Sequence, residues 1–322
     1  MTVTRRRALL AWGMAGLACP ALGQSWPSRP IRFVVPYGAG NQADLVARVL
    51  AEGLGARWGQ RPVIENIAGA GGAIGVAQIA RAAPDGYTIG LIAIAALAIT
   101  PHMSQAPYDP LVDLQPLGGV SVSRAALAVN AALPAQDLAS FVALAKARRA
   151  DPLFYYSPGT GTVPHLAAEM LSRALDFPAN HVPYRTAAAG VADLVAGRVQ
   201  FAVDGTTVTL PHVQAGRLRA LVAISPTRLA LLPGVPSLTE AAPGVELPSA
   251  WQALHGQRGF PPEIAARIGA DVAALLGDPA FVARYPQGSD PLPMTAAQAA
   301  AQIRADHARF GAIVRELDLK DS

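Results

Sequence analysis

The chain of 322 residues contains one cysteine, Cys19, and two lysines, Lys146 and Lys320. A single thiol excludes an internal disulfide framework and any multi-cysteine zinc or iron–sulfur site. Two lysines argue against Schiff-base chemistry and against a phosphate-cradling lysine loop. Charge is sparse at 15% of residues. Beyond the N-terminus no apolar run approaches the ~20 residues needed to cross a bilayer, and Thr88 to Thr100 is only the size of a buried strand. What is abundant is apolar surface, 52% of residues, with 30 glycines and 28 prolines spread between the apolar runs. That pattern predicts many turns rather than disorder, and the length predicts a sizeable core in two domains.

The net charge of +4 suggests a nucleic-acid partner until its location is examined. Arg5, Arg6 and Arg7 precede the apolar stretch Ala8 to Ala18, and Ala21-Leu22-Gly23 offers a small-x-small cleavage site. Residues 1–23 therefore read as an export signal, by the Sec or the twin-arginine route. Gly16-Leu17-Ala18-Cys19 is a poor lipoprotein box, since Gly16 replaces the usual Leu or Val and Pro20 follows. Cleavage after Gly23 leaves 299 residues with 23 basic and 22 acidic side chains and no cysteine. A nearly neutral mature chain carries no case for nucleic acid.

Ile31 to Tyr37 is a β-branched run of the buried parallel type, broken by Gly38-Ala39-Gly40-Asn41. Ala43 to Trp58 carries helical periodicity, Pro62 to Asn66 reads as a strand, and Gly69-Ala70-Gly71-Gly72 leads into a helix from Ile74 to Ala82. Tyr87 to Ile94 is the next strand. A second unit starts near Ala125, with strands over 126–129, 153–157, 180–184, 200–204 and 218–224. Its helices are expected over 138–149, 163–175 and 187–196. After Pro226 a proline-rich connection leads to a strand at 251–255 and two closing helices, 261–276 and 295–317. Strands alternating with helices across short glycine loops predict α/β domains with largely parallel sheets.

Three glycine-rich loops each follow a strand and open a helix, where free N–H groups and the helix dipole suit an anion without a side-chain cation. None is a nucleotide fingerprint, since the third glycine of G-x-G-x-x-G is out of place after Gly71. Asp44 fits a capping or dipole-complementing role in its helix's first turn. His165 and Glu169 stand four apart, yet nothing nearby completes a metal set. Ser157 lacks the G-x-S-x-G elbow, and the six histidines are scattered, so no catalytic triad is legible. Arg185, at a strand end, could grip a carboxylate or simply be solvated.

Several of these segments together are similar to one family. Pro27 to Tyr37, Glu65-Asn66 with Gly69 to Gly72, Ala83 to Thr88, Pro107 to Pro110, and Gly161-Thr162 with His165-Leu166 carry the likeness. His181 to Tyr184, Pro211-His212, Ala215 to Leu221 and Pro233 to Pro236 extend it in order along nearly the whole mature chain. The sequence resembles the tripartite tricarboxylate transporter receptors, the Bug family of periplasmic binding proteins. The resemblance implies a periplasmic-binding-protein type II-like α/β fold, with two lobes and a ligand cleft between them. One lobe would comprise 24–124 plus 240–322 and the other 125–239. It implies a monomeric periplasmic receptor, without catalysis, cofactor or metal, which closes on a small carboxylate and delivers it to membrane transporter subunits. A sensor that reports its ligand state to a membrane kinase would share the same fold. Carried over by position, the ligand contacts would be Tyr37, Gly38, Ala39, Gly40 and Asn41, then Ala70, Gly71 and Gly72. From the other lobe would come Thr160, Gly161, Thr162, Tyr184 and Asp204.

The chain also departs from the family pattern. Asn41 and Gln42 put two amides where the family has a hydroxyl before its aspartate. Ile92-Ala93-Ile94-Ala95-Ala96-Leu97 is apolar where Ser or Thr and His are usual. The expected ligand therefore has a carboxylate at one end and a more apolar body than a tricarboxylate. The rival from another class is an exported hydrolase using Ser157 or Thr162 with a histidine.

Overall fold

The computed structural model describes residues 26–316. The export segment 1–23, Cys19 and Lys320 lie outside the described residues. Eleven strands form two sheets: β1 Arg32–Val35, β2 Val63–Asn66, β3 Thr88–Ala93, β4 Leu114–Ser123, β5 Ala125–Asn130, β6 Leu153–Ser157, β7 Ala179–Pro183, β8 Phe201–Gly205, β9 Leu218–Ile224, β10 Trp251–Gln257 and β11 Ser289–Pro291. The first sheet runs β11-β4-β10-β3-β1-β2 and the second β7-β6-β8-β5-β9.

The period-two alternation of β1 explains how the first sheet is covered. Phe33 and Val35 face the cluster built with helices Gln42–Trp58 and Pro262–Leu276, while Val34 faces the cluster with helix Ala73–Ala80 and helix Ala296–Glu316. Both faces are covered, so the strand can be apolar throughout. In the second sheet Tyr155 and Tyr156 are both fully buried but enter different cores, on opposite faces of β6.

The sheets are mixed rather than largely parallel. β1 pairs parallel with β2 and β3, but β10 runs antiparallel to β3 and to β4. In the second sheet β6 is parallel to β7 and β8, whereas β5 is antiparallel to β8 and β9. The cause is the connection between the lobes. The chain leaves the first sheet along β4 and returns along β10, and neighbouring strands used for exit and return must point in opposite directions.

Only Arg124 separates β4 from β5, and its backbone ties the two lobes. Its N–H donates to Gly288 O at 2.7 Å, and its carbonyl accepts from Thr206 N at 2.7 Å and Thr206 Oγ1 at 3.0 Å. The return comes later than the expected boundary at 239/240. Leu238 and Ala242 lie in the second sheet's core, with Val245 and Leu247 packed on it, so the chain re-enters the first sheet only at Pro248 to Trp251. The proline-rich stretch is thus an apolar flap of the second lobe that contains the short helix Leu238–Ala241.

Several elements escape the sequence pattern. β4 carries Pro116, Gly118 and Gly119, all poor strand formers, and is a strand because β10 and β11 bracket it. Thr88 to Thr100 is not one strand: the chain turns into helix Ile94–Ala98 after Ala93. Helix Thr206–Gln214 contains three threonines, two valines and Pro211, so its own propensity argues against it.

Candidate functional site

A cavity of about 140 Å³ lies between the lobes, walled by both of them and by both crossings. Five helices begin on it. Asn41, Gln42 and Ala43 come from the start of Gln42–Trp58, Ala93 and Ala95 from the start of Ile94–Ala98, Thr162 to Pro164 from Val163–Ala174, Ala187 from Ala187–Val195, and Gly205, Thr207 and Val208 from Thr206–Gln214. Neither Thr162 nor Gly205 provides a side-chain cap, which leaves first-turn N–H groups of two helices available to a ligand. The lining contains no Lys, Arg or His. Positive potential here comes from backbone amides and helix dipoles.

The walls are otherwise apolar. Ala93, Ala95, Ala125, Val203, Ile224 and Pro248 line the cavity, among others. Two buried hydroxyls, Tyr37 Oη from the first lobe and Thr207 Oγ1 from the second, have no hydrogen-bond partner. Burial pushes the Tyr37 phenol far above its ordinary value, so it stays a neutral donor.

Asp204 is the one carboxyl on the lining. It is 5% exposed, and burial pushes it up to about 6 in spite of two hydrogen bonds. Those bonds come from Gly205 N to Oδ1 at 2.7 Å and from the fully buried Tyr156 Oη to Oδ2 at 2.8 Å. Asp44, by contrast, lies behind its helix start. Burial would raise it, but hydrogen bonds from Arg48, Gly40 and Asn66 outweigh that and hold its carboxyl below the usual range. Its work is structural, and Asn41 provides the actual cap through Oδ1 and Ala43 N at 2.6 Å.

The thirteen residues singled out from sequence fall into three groups. Tyr37, Asn41, Thr162 and Asp204 line the cavity between the lobes. Ala70, Gly71, Thr160 and Gly161 line a second cavity of about 210 Å³, where the two glycine loops face each other. Thr100 Oγ1, buried there and unpartnered, stands 3.1 Å from where a Cβ on Gly71 would lie, and Gly71 has φ +61°. The positive φ and the Thr100 hydroxyl both favour glycine at Gly71, while the Thr160 carbonyl of the facing loop would lie 3.6 Å away, an ordinary contact. Gly38, Ala39, Gly40, Gly72 and Tyr184 line neither cavity. Gly72 packs on the Tyr37 ring, and Gly40 N donates to Asp44. The Tyr184 ring meets Tyr156 edge-on at 6.0 Å while its hydroxyl donates to Asp193.

A polar group missed from sequence sits on the cavity floor. Gln42 Oε1 accepts from Ser123 Oγ at 2.5 Å and from Gln252 Nε2 at 2.7 Å, and Gln42 Nε2 donates to Ser289 Oγ at 2.6 Å. This single amide links the outgoing crossing, the returning strand and β11. The signal was in the sequence, as an amide replacing a hydroxyl, but its partners are 81 to 247 residues away.

Ser157 and His181 do meet, with Oγ and Nε2 2.7 Å apart. Ser157 is fully buried, however, and its Oγ also donates to Gly159 O at 2.9 Å. With that proton committed, Nε2 must be the donor, which is the wrong tautomer for a base. Among the described residues no carboxylate is bonded to the other ring nitrogen. Burial lowers His181 to about 4 and His165 to about 3, the latter helped by His181 stacked at 4.0 Å. Glu169 accepts from Tyr155 Oη. Among the described residues no cluster suits a metal, and no helix is long and apolar enough to cross a membrane. Arg185 is exposed and lines neither cavity.

Comparison with known proteins gives consistent matches. The model of the tripartite tricarboxylate transporter family receptor matches residues 46–319. Protein BugT of Bordetella pertussis is 32% identical over 325 residues, covering 99% of both chains. The solved structure of Rpa4515 of R. palustris with adipate is 28% identical, with a TM-score of 0.86 over 91% of this chain and 98% of that one. MatC of Rhodopseudomonas palustris, solved with bound malate, is 27% identical, with a TM-score of 0.82 over 89% and 99%.

Proposed function

The chain belongs to the tripartite tricarboxylate transporter receptor family, and from that premise we propose that it binds a small, largely apolar carboxylate between its lobes and delivers it to membrane transporter subunits. The family is one of solute-binding receptors, not of enzymes. The observation that carries the proposal is the cation-free cavity on which five helices begin. Such a site attracts an anion by backbone amides while its alanine, valine and proline walls exclude water from the ligand's body.

The size argues in the same direction. A cavity of about 150 Å³ admits benzene, so one of about 140 Å³ suits an aromatic or short aliphatic body. A tricarboxylate would desolvate three charges against apolar walls. Titration calorimetry with citrate, adipate, malate, benzoate and hexanoate tests this reading. Tight citrate binding with no response to the monocarboxylates would overturn it.

Binding is coupled to closure. A ligand that touches both lobes favours the state in which they are together, and the hinges are the two crossings at Arg124 and at Pro248 to Ala250. Small-angle scattering should report compaction when the ligand is added. The protein works in the periplasm after removal of residues 1–23, an address consistent with the nearly balanced charge of the remainder.

A further inference from the structure

We infer that Asp204 must hold a proton when the cavity holds a carboxylate, so that the receptor takes up its anion together with one proton. This rests on the carboxylate reading of the cavity given above. Asp204 is among the residues that line the cavity and is 5% exposed, so an anion that fills the cavity shares a water-poor site with that carboxyl. No Lys, Arg or His on the lining separates the two negative charges. Two carboxylates that close in a dry site do not both ionise.

The surroundings of Asp204 supply no compensating cation. Among the elements packed on β8, β5 carries no titratable group, and β6 carries Tyr155 and Tyr156. Helix Val163–Ala174 carries His165, Glu169 and Arg173, and helix Thr206–Gln214 carries His212. Of these, only Tyr156 is bonded to Asp204. Tyr155 and Glu169 are bonded to each other, and Tyr155 belongs to the other face of the sheet. His165 stacks on His181. Helix Ala187–Val195 has Asp193, which is engaged by Tyr184 and Arg198. Across the cleft the titratable lining residue is Tyr37, a neutral phenol, while Arg124 at the crossing is paired with Asp290.

The carboxyl is already prepared for this role without a ligand, since burial pushes it up to about 6 against the two hydrogen bonds that lower it. The proton comes from solvent and stays on the carboxyl. Tyr156 Oη and Gly205 N–H keep their bonds to the two oxygens, and the added O–H points at a ligand oxygen. A neutral acid thus serves as a donor, and the same group in its ionised form repels the anion. Asp204 thereby sets the pH range of binding.

Calorimetry on the mature protein with adipate, malate, citrate and benzoate, in two buffers of different ionisation enthalpy, measures the linked proton directly. The expected result is a Kd that rises about tenfold per pH unit above about 6, with uptake close to one proton per ligand near neutral pH. Asp204→Asn should bind with little pH dependence and no linked proton. The wild-type proton count needs no variant and stands even if that variant folds poorly. Binding of a carboxylate with constant Kd and no proton uptake would overturn this inference alone. Tighter binding as pH rises would overturn it too, since an ionised Asp204 would then be accepting from the ligand. Failure of all four ligands at every pH would overturn the carboxylate reading and this inference with it.

Discussion

Replacing Asp204 by asparagine should make the protein more stable near pH 8 and slightly less stable near pH 4. The group is an acid whose folded value lies at about 6 against an ordinary 3.8. Below both values the carboxyl is protonated in the folded and unfolded chain alike, and it contributes nothing. Between them the unfolded chain ionises while the folded one resists, so stability falls as pH rises. Above about 6 the full cost is present. Two units at 1.36 kcal/mol each amount to about 3 kcal/mol. Asparagine removes that cost, because its Oδ1 can still accept from Gly205 N–H and its amide can face Tyr156. The Tyr156 hydroxyl then loses its acceptor, a loss of about 1 kcal/mol. The net gain near pH 8 is therefore about 2 kcal/mol, and near pH 4, just above the ordinary value, a residual cost of about 0.5 kcal/mol offsets half of the loss and leaves a net loss of about 0.5 kcal/mol. Urea unfolding followed by far-UV circular dichroism is the right assay, since Trp26, Trp58 and Trp251 all belong to the first lobe and their fluorescence would miss the second. The same difference between variant and wild type at both pH values would refute the reasoning. A site residue that lowers stability in order to bind is a familiar trade.

Further outcomes follow from the hinge and from the second lobe. Gln42→Ala strands Ser123 and the buried Gln252 without their shared acceptor. It should cost about 1–3 kcal/mol and widen the interdomain distances seen by small-angle scattering, and an unchanged scattering curve would count against the amide as a link between the crossings. Gly288→Ala would place a Cβ 2.2 Å from Thr206 Oγ1 and 2.7 Å from Thr207 N, at φ +86°. The two lobes should be forced apart there, with circular dichroism near native and carboxylate affinity at least about tenfold lower, which calorimetry can check. Ser157→Ala should leave carboxylate affinity unchanged and cost about 1 kcal/mol of stability. Wild-type protein should turn over none of a panel of chromogenic esters, and turnover abolished by Ser157→Ala would revive the hydrolase reading.

Much of the fold was legible because the relevant signals are local. The β-branched run at 31–37, the apolar stripe from Ala43 to Trp58 and the glycine breaks between strand and helix each follow from spacing within a dozen residues. β4 and helix Thr206–Gln214 were not legible, since their own residues disfavour the structures they adopt. Pro116, Gly118 and Gly119 are held in a strand by β10, and Pro211 sits in a helix packed on β9. The return crossing was misplaced for a related reason. Prolines at 233, 236, 243 and 248 look like a linker, and only packing reveals that Leu238, Ala242, Val245 and Leu247 complete the second core.

The candidate site divides the same way. The glycine loops and the likeness of the chain to its family pointed to the sheet ends that border the cavities, and put residues of two cavities into one list. Ala70, Gly71, Thr160 and Gly161 belong to the seam where the loops meet, and Tyr37, Asn41, Thr162 and Asp204 to the chamber behind it. Thr207, Ser123 and Gln252 had no motif to mark them. Their roles depend on what stands opposite.

By itself, the sequence determined the composition of the problem: a single thiol at Cys19, few lysines, nearly balanced charge beyond residue 23, and helix starts suited to anions. It also determined that Asp204 would stand at the end of an apolar strand. Tertiary structure alone decided that this carboxyl would be buried beside Tyr156 with no cation on the same wall, and that Gln42 would join two crossings. Propensity and helix starts are properties of neighbours in sequence, whereas burial, and with it the proton affinity of a carboxyl, depends on groups brought together from distant parts of the chain.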